Sequence, residues 1–205
     1  MPDIRTVSIV LFDGFELLDV FGPAELFSME RDRLHVRYIG PNDEPVHSAQ
    51  GVAVVPDFAR IEAPAPDIVL VPGGTGTRQL VADAAFLEWL ALWAGDAALV
   101  TSVCTGSAVL AAAGLLEGYR ATSNKRAWAW ASSHGGSVEW VAAARWVADR
   151  DRWTSSGVAA GMDMAVALIG SLFDEDAARE AALRVEYEPH TDPDRDPFAA
   201  LNGLV

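Results

Sequence analysis

The sequence predicts an α/β protein built on a doubly wound, mainly parallel sheet sandwiched by helices. Short, nearly continuous apolar runs suit strands buried on both faces, and they alternate with stretches of helical periodicity. The 205 residues, 51% hydrophobic and 21% charged, suffice for one compact, ordered domain. Residues 1–188 are assigned to that domain, and 189–205 to a Pro- and Asp-rich C-terminal arm.

Val7–Phe12, Leu34–Ile39 and Asp67–Val71 are apolar runs closed by Asp-Gly, Gly-Pro and Pro-Gly-Gly, so each reads as a strand ended by turn residues. Between the first two, Gly22-Pro23 opens a helix expected over Ala24 to about Glu30. Arg78–Trp93 sets Leu80, Phe86, Leu87, Leu90 and Trp93 near one helical face. Ala98–Val103 is the next strand and Gly106–Leu116 the helix after it, with Gly118 placed to stop it. A short helix is expected over Lys125–Ser133. Ala144–Asp149 and Arg152–Ser155 flank a charged turn and read as a hairpin. Helices over Val158–Phe173 and Glu175–Glu186 complete the domain, after which an extended arm leads to a small apolar end at Phe198–Val205.

A formal net charge of −14 disfavours nucleic acid and anionic membranes as partners, because such binding needs Lys and Arg to displace counterions. Ala97–Leu116 carries no charge over 20 residues, a membrane-spanning length, yet hydroxyls and a glycine crowd its middle. It reads better as a buried strand turning into a helix. The opening residues lack the pattern of a targeting segment, and a single cysteine suits a reducing, cytoplasmic setting. No His/Cys/Asp/Glu cluster has metal-ligand spacing, the alternating aspartates of the arm lack the glycine and glutamate of a calcium loop, and the glycine-rich loop matches no nucleotide fingerprint. Neither metal nor cofactor is expected.

The most informative segment is Leu99-Val-Thr-Ser-Val-Cys104-Thr-Gly-Ser. Its cysteine stands where a strand gives way to a helix, the position of a nucleophile elbow, with Gly106 letting the helix begin close by. Unpaired amides at the helix start would lower the thiol pKa and make a thiolate usable near neutral pH. The competing reading is a small buried hydrophobe. Of the four histidines, only His134 is placed to be considered as a base.

Gly73 and Gly74, in Val71-Pro-Gly-Gly-Thr-Gly76, fall at the same carboxyl edge of the sheet. The Gly74 amide, with that of Thr105, could face a developing negative charge, unless the loop is only a tight turn. Asp19, among Leu17, Leu18, Val20 and Phe21, reads either as a desolvated carboxyl with a raised pKa or as the cap of the following helix. Lys125, the sole lysine, reads as a solvated helix start, and the seven tryptophans as core or interface.

Taken together, five segments resemble the ThiJ/PfpI superfamily over about Thr6 to Glu188: Val10-Leu-Phe-Asp-Gly-Phe-Glu-Leu-Leu-Asp-Val-Phe-Gly-Pro23, the Val-Pro-Gly-Gly-Thr-Gly loop, Ser-Val-Cys-Thr-Gly-Ser, Ala-Ala-Gly-Leu-Leu-Glu-Gly-Tyr-Arg-Ala-Thr-Ser and the later Ser-Gly-Val-Ala-Ala-Gly-Met-Asp. The resemblance implies a flavodoxin-like sandwich, a homodimer, no cofactor, Cys104 as nucleophile and Asp19 as its acidic partner, with Gly73, Gly74 and Thr105 shaping the substrate site. The Cys-Thr-Gly form is similar to the isocyanide-hydrating branch and to the sensor domains of certain transcription regulators. It implies addition of water to an isocyanide, giving an N-substituted formamide through a Cys104 thioimidate. Other cysteine-dependent chemistry, glyoxalase-like or deglycase-like, or a stand-alone ligand or redox sensor, are the alternatives. One departure is Asn124-Lys125-Arg126, where relatives carry His-Trp.

Overall fold

A computed structural model describes residues 5–205; the opening Met-Pro-Asp-Ile lies outside the described residues. The first half runs β1 (Arg5–Val10), α1 (Leu17–Ser28), β2 (Leu34–Gly40), β3 (Val46–His47), β4 (Ala53–Val54), β5 (Phe58–Ala59), β6 (Ile68–Val71), α2 (Thr77–Leu80) and α3 (Ala84–Gly95). The second half runs β7 (Leu99–Ser102), α4 (Gly106–Ala112), β8 (Arg120–Ala121), α5 (Trp128–Ala131), β9 (Glu139–Trp140), β10 (Trp146–Asp149), β11 (Arg152–Ser155), α6 (Ala160–Leu172), α7 (Glu175–Arg184) and α8 (Pro197–Leu201).

Seven strands form one sheet in the order β10-β11-β7-β6-β1-β2-β5, parallel except for the β10–β11 hairpin. Helices flank it, as the alternation of apolar runs and helical stretches predicts. β6 is buried along its whole length, which is why its sequence is uninterrupted Ile-Val-Leu-Val. The chain passes from β1 to β2 on one side and to β6 on the other, so the strand order reverses beside β1. The crevice at such a reversal, beyond the carboxyl ends of the strands, is where open α/β sheets place their sites. Ala97–Leu116 becomes β7 and α4, and no helix among the described residues is long and apolar enough to cross a membrane.

Several element boundaries differ from expectation for identifiable reasons. α1 begins at Leu17, so Pro23 sits inside the helix rather than opening it, and the Asp19 carbonyl loses its usual donor there. Gly22 allows α1 to lie close on α6: a Cβ there would stand 2.7 Å from Met162 Cγ. Arg78–Trp93 is two helices, because the Asp83 side chain accepts the Phe86 N–H and starts α3 afresh. α4 stops at Gly114, not Gly118. Gly114 takes a φ of 77°, its N–H bonds the Ala111 carbonyl and the Leu115 N–H bonds that of Leu110, the pair of reversed bonds that terminates helices.

The C-terminal arm is not left extended. The Arg145 N–H bonds the Pro193 carbonyl at 2.7 Å, the Asp196 N–H bonds the Ala143 carbonyl at 2.7 Å, and α8 buries Ala199. Buried cations hold it there. Arg145 makes a two-nitrogen contact with Asp163 Oδ2 (2.8 and 2.7 Å) and faces Asp196 Oδ1 at 3.7 Å. Lys125, expected at the surface, is buried: its Nζ donates to Thr122 Oγ1 and the Ala144 carbonyl, both at 2.7 Å, 4.0 Å from Asp196 Oδ2. The tryptophans serve packing, as in the stacked Trp89–Trp93 pair, whose indole N–H groups bond the Arg60 and Pro64 carbonyls.

Candidate active site

The site forms where the loops after β1, β6 and β7 meet. Cys104 follows β7 and adopts a φ of 57°, a left-handed conformation that costs a non-glycine residue about 1–3 kcal/mol. Its neighbours hold it in place. The Cys104 N–H bonds the Ser156 carbonyl (3.1 Å), and its own carbonyl accepts the Ser107 and Ser123 hydroxyls (3.2 and 3.0 Å). Gly106 lets α4 begin against the β6 loop, since a Cβ there would stand 2.1 Å from the Val71 carbonyl oxygen.

Asp19 comes from the first turn of α1, but its side chain does not cap that helix. Oδ2 accepts the Gly73 N–H at 2.8 Å, and the carboxyl is near enough to Cys104 for each to act on the other's ionisation. Among the described residues, Oδ1 is buried with no hydrogen-bond partner. Burial drives the Asp19 pKa well above the ordinary carboxylate value, opposed by the Gly73 hydrogen bond and the nearby Cys104 and aided by the Glu16 charge. Gly73 is wedged between Asp19 and Thr105: a Cβ would sit 2.8 Å from Asp19 Oδ2 and 2.6 Å from Thr105 N. Its carbonyl accepts the Glu16 N–H, which ties the Asp13-Gly-Phe-Glu segment to the glycine loop.

Cys104 Sγ receives a hydrogen bond from Asn124 Nδ2 at 3.1 Å, and the adjoining Thr105 also favours the ionised sulfur. These donors favour a thiolate. Burial, and then the Asp19 charge, push the thiol pKa far above its ordinary value all the same. The low pKa expected from the helix start is therefore corrected: with the residue only 6% exposed, desolvation exceeds what the amides supply. Burial thus favours the protonated form of both Asp19 and Cys104.

Two glycine amides expected at the substrate are engaged elsewhere. That of Gly73 serves Asp19, and that of Gly74 donates to Thr105 Oγ1 at 3.1 Å, leaving Thr105 as the amide nearest the sulfur. Gly74 itself is required, with a φ of 129° and a Cβ position 2.2 Å from the Gly14 carbonyl oxygen. His134 packs edge-on against Trp130 and has no part in the cysteine's contacts. Asn124 was the residue whose role sequence reasoning missed. Its departure from the His-Trp pattern was visible, but the contact with Cys104 is a tertiary one.

The DJ-1/PfpI family profile matches residues 5–171, and the chain belongs to that family. It is 33% identical over 201 residues to an isonitrile hydratase from Pseudomonas putida, spanning 96% of this chain and 86% of that protein. It is 31% identical to a helix-turn-helix transcriptional regulator from Pseudomonas aeruginosa, over 81% of this chain and 46% of the regulator. Among solved structures, a ThiJ/PfpI family protein from Pseudomonas syringae superposes with a TM-score of 0.81 at 32% identity, covering 92% of this chain and 77% of that one.

Proposed function

We propose that this member of the DJ-1/PfpI family hydrates an isocyanide to an N-substituted formamide, with Cys104 as nucleophile and Asp19 as proton carrier. The observation that carries this reading is a buried carboxyl and a buried thiol whose charges act on one another, both favouring their protonated forms. The similarity to an isonitrile hydratase over most of both chains supports it.

In this reading the thiol proton passes to Asp19 as sulfur attacks the terminal carbon of R–N≡C, and Asp19 returns that proton to the same carbon. The product is a thioimidate, R–N=CH–S–Cys104. Water then adds to its carbon, the C–S bond breaks, the sulfur regains a proton, and R–NH–CHO leaves. Net charge never changes along this route, which suits a dry site where an isolated ion would be strongly disfavoured. Asn124 and the Thr105 amide stabilise the sulfur while it carries charge. Asn124 has no basic nitrogen, so proton movement falls to Asp19. A redox sensor is less well served, because oxidation proceeds from an accessible thiolate and Cys104 is buried and protonated.

The test is formamide production from an aryl isocyanide, followed by absorbance. Wild-type turnover should vanish in Cys104→Ala and fall by about 10²–10⁴-fold in Asp19→Asn. Absence of turnover in the wild type, with its thiol shown to be reduced, would sink the proposal.

A further inference from the structure

The geometry points to the cavity beside Asn124 as the seat of the substrate's organic group, with Phe198 of the C-terminal segment as the residue that sets its specificity. The identity of the substrate rests on the proposed hydration; the route to the thiol does not.

The cavity, of about 280 Å³, has Asn124, Ser156, Gly157 and Val158 on its inner side and Phe198 and Asn202 on its outer side. Its inner wall is one side chain thick. Asn124 Nδ2 lies 3.1 Å from Cys104 Sγ, and the Ser156 carbonyl accepts the Cys104 N–H. Gly157 gives the Asn124 amide its room: a Cβ at that position would stand 2.0 Å from Nδ2. Asn124 thus lines the cavity and touches the sulfur at once, and its Oδ1 is steadied by the Ala127 N–H at 3.0 Å.

The outer wall comes from beyond residue 171, where the family profile ends. Asp196 places it. Its Oδ1 accepts the Phe198 N–H at 3.0 Å and starts α8, while the same carboxylate faces Arg145 and Lys125 inside the protein. Asn202 Nδ2 closes the helix on the Phe198 carbonyl at 2.8 Å. Phe198 is half exposed, as a ring lining an open cavity should be. The Lys125 ammonium points away into Thr122 and Ala144, so its charge is spent on the protein. A volume this small, with an aromatic outer wall and the exposed Arg126 also on its lining, fits a compact organic group that can pack against a ring.

Cys104 is the only cysteine, so intact mass reports modification at one sulfur. Iodoacetamide and N-benzyl-iodoacetamide share a reacting group and differ only in the bulk that must enter the cavity. Their alkylation rates at pH 9 should be compared in wild type, Phe198→Trp, Phe198→Ala and, as a control on the same helix, the exposed Leu201→Ala. The benzyl-to-parent rate ratio should fall at least about fivefold in Phe198→Trp, rise at least about twofold in Phe198→Ala, and hold in Leu201→Ala. A ratio unmoved in both Phe198 variants, or moved equally in Leu201→Ala, overturns the assignment. So does a native protein that neither reagent modifies although its unfolded form reacts. Neither reagent depends on hydration: a Phe198-dependent ratio without formamide production would sink the hydratase reading alone, and formamide production with an invariant ratio would sink the cavity assignment alone.

Discussion

Two constellations of buried polar groups lie on either side of Asn124 and Lys125, and they avoid isolated charge by opposite means. At the elbow, Asp19 and Cys104 have few donors and no ion-pair partner among the described residues, so burial favours the protonated form of both. Under the C-terminal segment, Arg145, Asp163, Lys125 and Asp196 face one another as opposite charges. Asp163 alone takes the Arg145 guanidinium, the Tyr187 hydroxyl at 2.5 Å and the His190 N–H at 2.8 Å. The difference teaches how each group can act. A neutral pair can pass a proton, whereas a compensated ion cluster holds chain segments in place and resists change.

The contrast breaks most visibly at Asp163. Asp163→Asn would leave Arg145 poorly compensated in the interior, with an expected loss of about 3–5 kcal/mol in a urea unfolding experiment. A loss below about 1 kcal/mol would mean that the cluster holds little.

Lys125 gives a pH signature of the same region. Burial pushes its pKa down to about 8 from 10.5, with Asp196 opposing and Arg145 assisting the shift. Between those values the unfolded chain binds more protons than the folded one, so stability rises with pH across that window. Wild type should therefore gain on Lys125→Met as urea unfolding is repeated from pH 8 to above 10; a flat or reversed difference would contradict the burial of a charged lysine.

At the elbow, Asn124→Leu keeps bulk beside the sulfur but removes its donor. Iodoacetamide alkylation of Cys104 should slow by about tenfold, the effect of roughly one pKa unit on thiolate population. An unchanged rate would assign Asn124 to the cavity wall only.

The smallest effect is expected at Asp19. Near pH 4 Asp19→Asn should match the wild type within about 1 kcal/mol, because a neutral carboxyl and an amide both accept the Gly73 N–H. The raised folded-state pKa means that the stability linked to Asp19 protonation is complete below the unfolded value and is lost as pH rises through the folded one. The variant should thus gain on the wild type as pH rises above about 4. A wild type that instead gained would show Asp19 to be held as an ion.

The elements legible in advance were those with a local cause. The hairpin at Arg152, the helices ending near Phe173 and Arg184, and the parallel core strands follow from apolar periodicity and turn residues within a few positions of one another. Misplaced boundaries arose where a single side chain changed the outcome, as when Asp83 recapped a helix or Gly114 ended one early. β3, β4, β5, β8 and β9 were missed because two-residue strands carry no period to detect.

By itself the sequence determined the alternation that builds the sheet and put a cysteine where a strand becomes a helix. It also supplied the glycines at 73, 74 and 106 whose missing side chains let three loops converge. The tertiary structure alone decided the charge states: Cys104 protonated rather than ionised, Lys125 buried rather than solvated, Asp196 turned inward rather than trailing in solvent. Backbone preference is settled over a few neighbouring residues. Ionisation depends on how much water and which charges surround a group, and those come from segments such as Asn124 and Asp196 that only folding brings near.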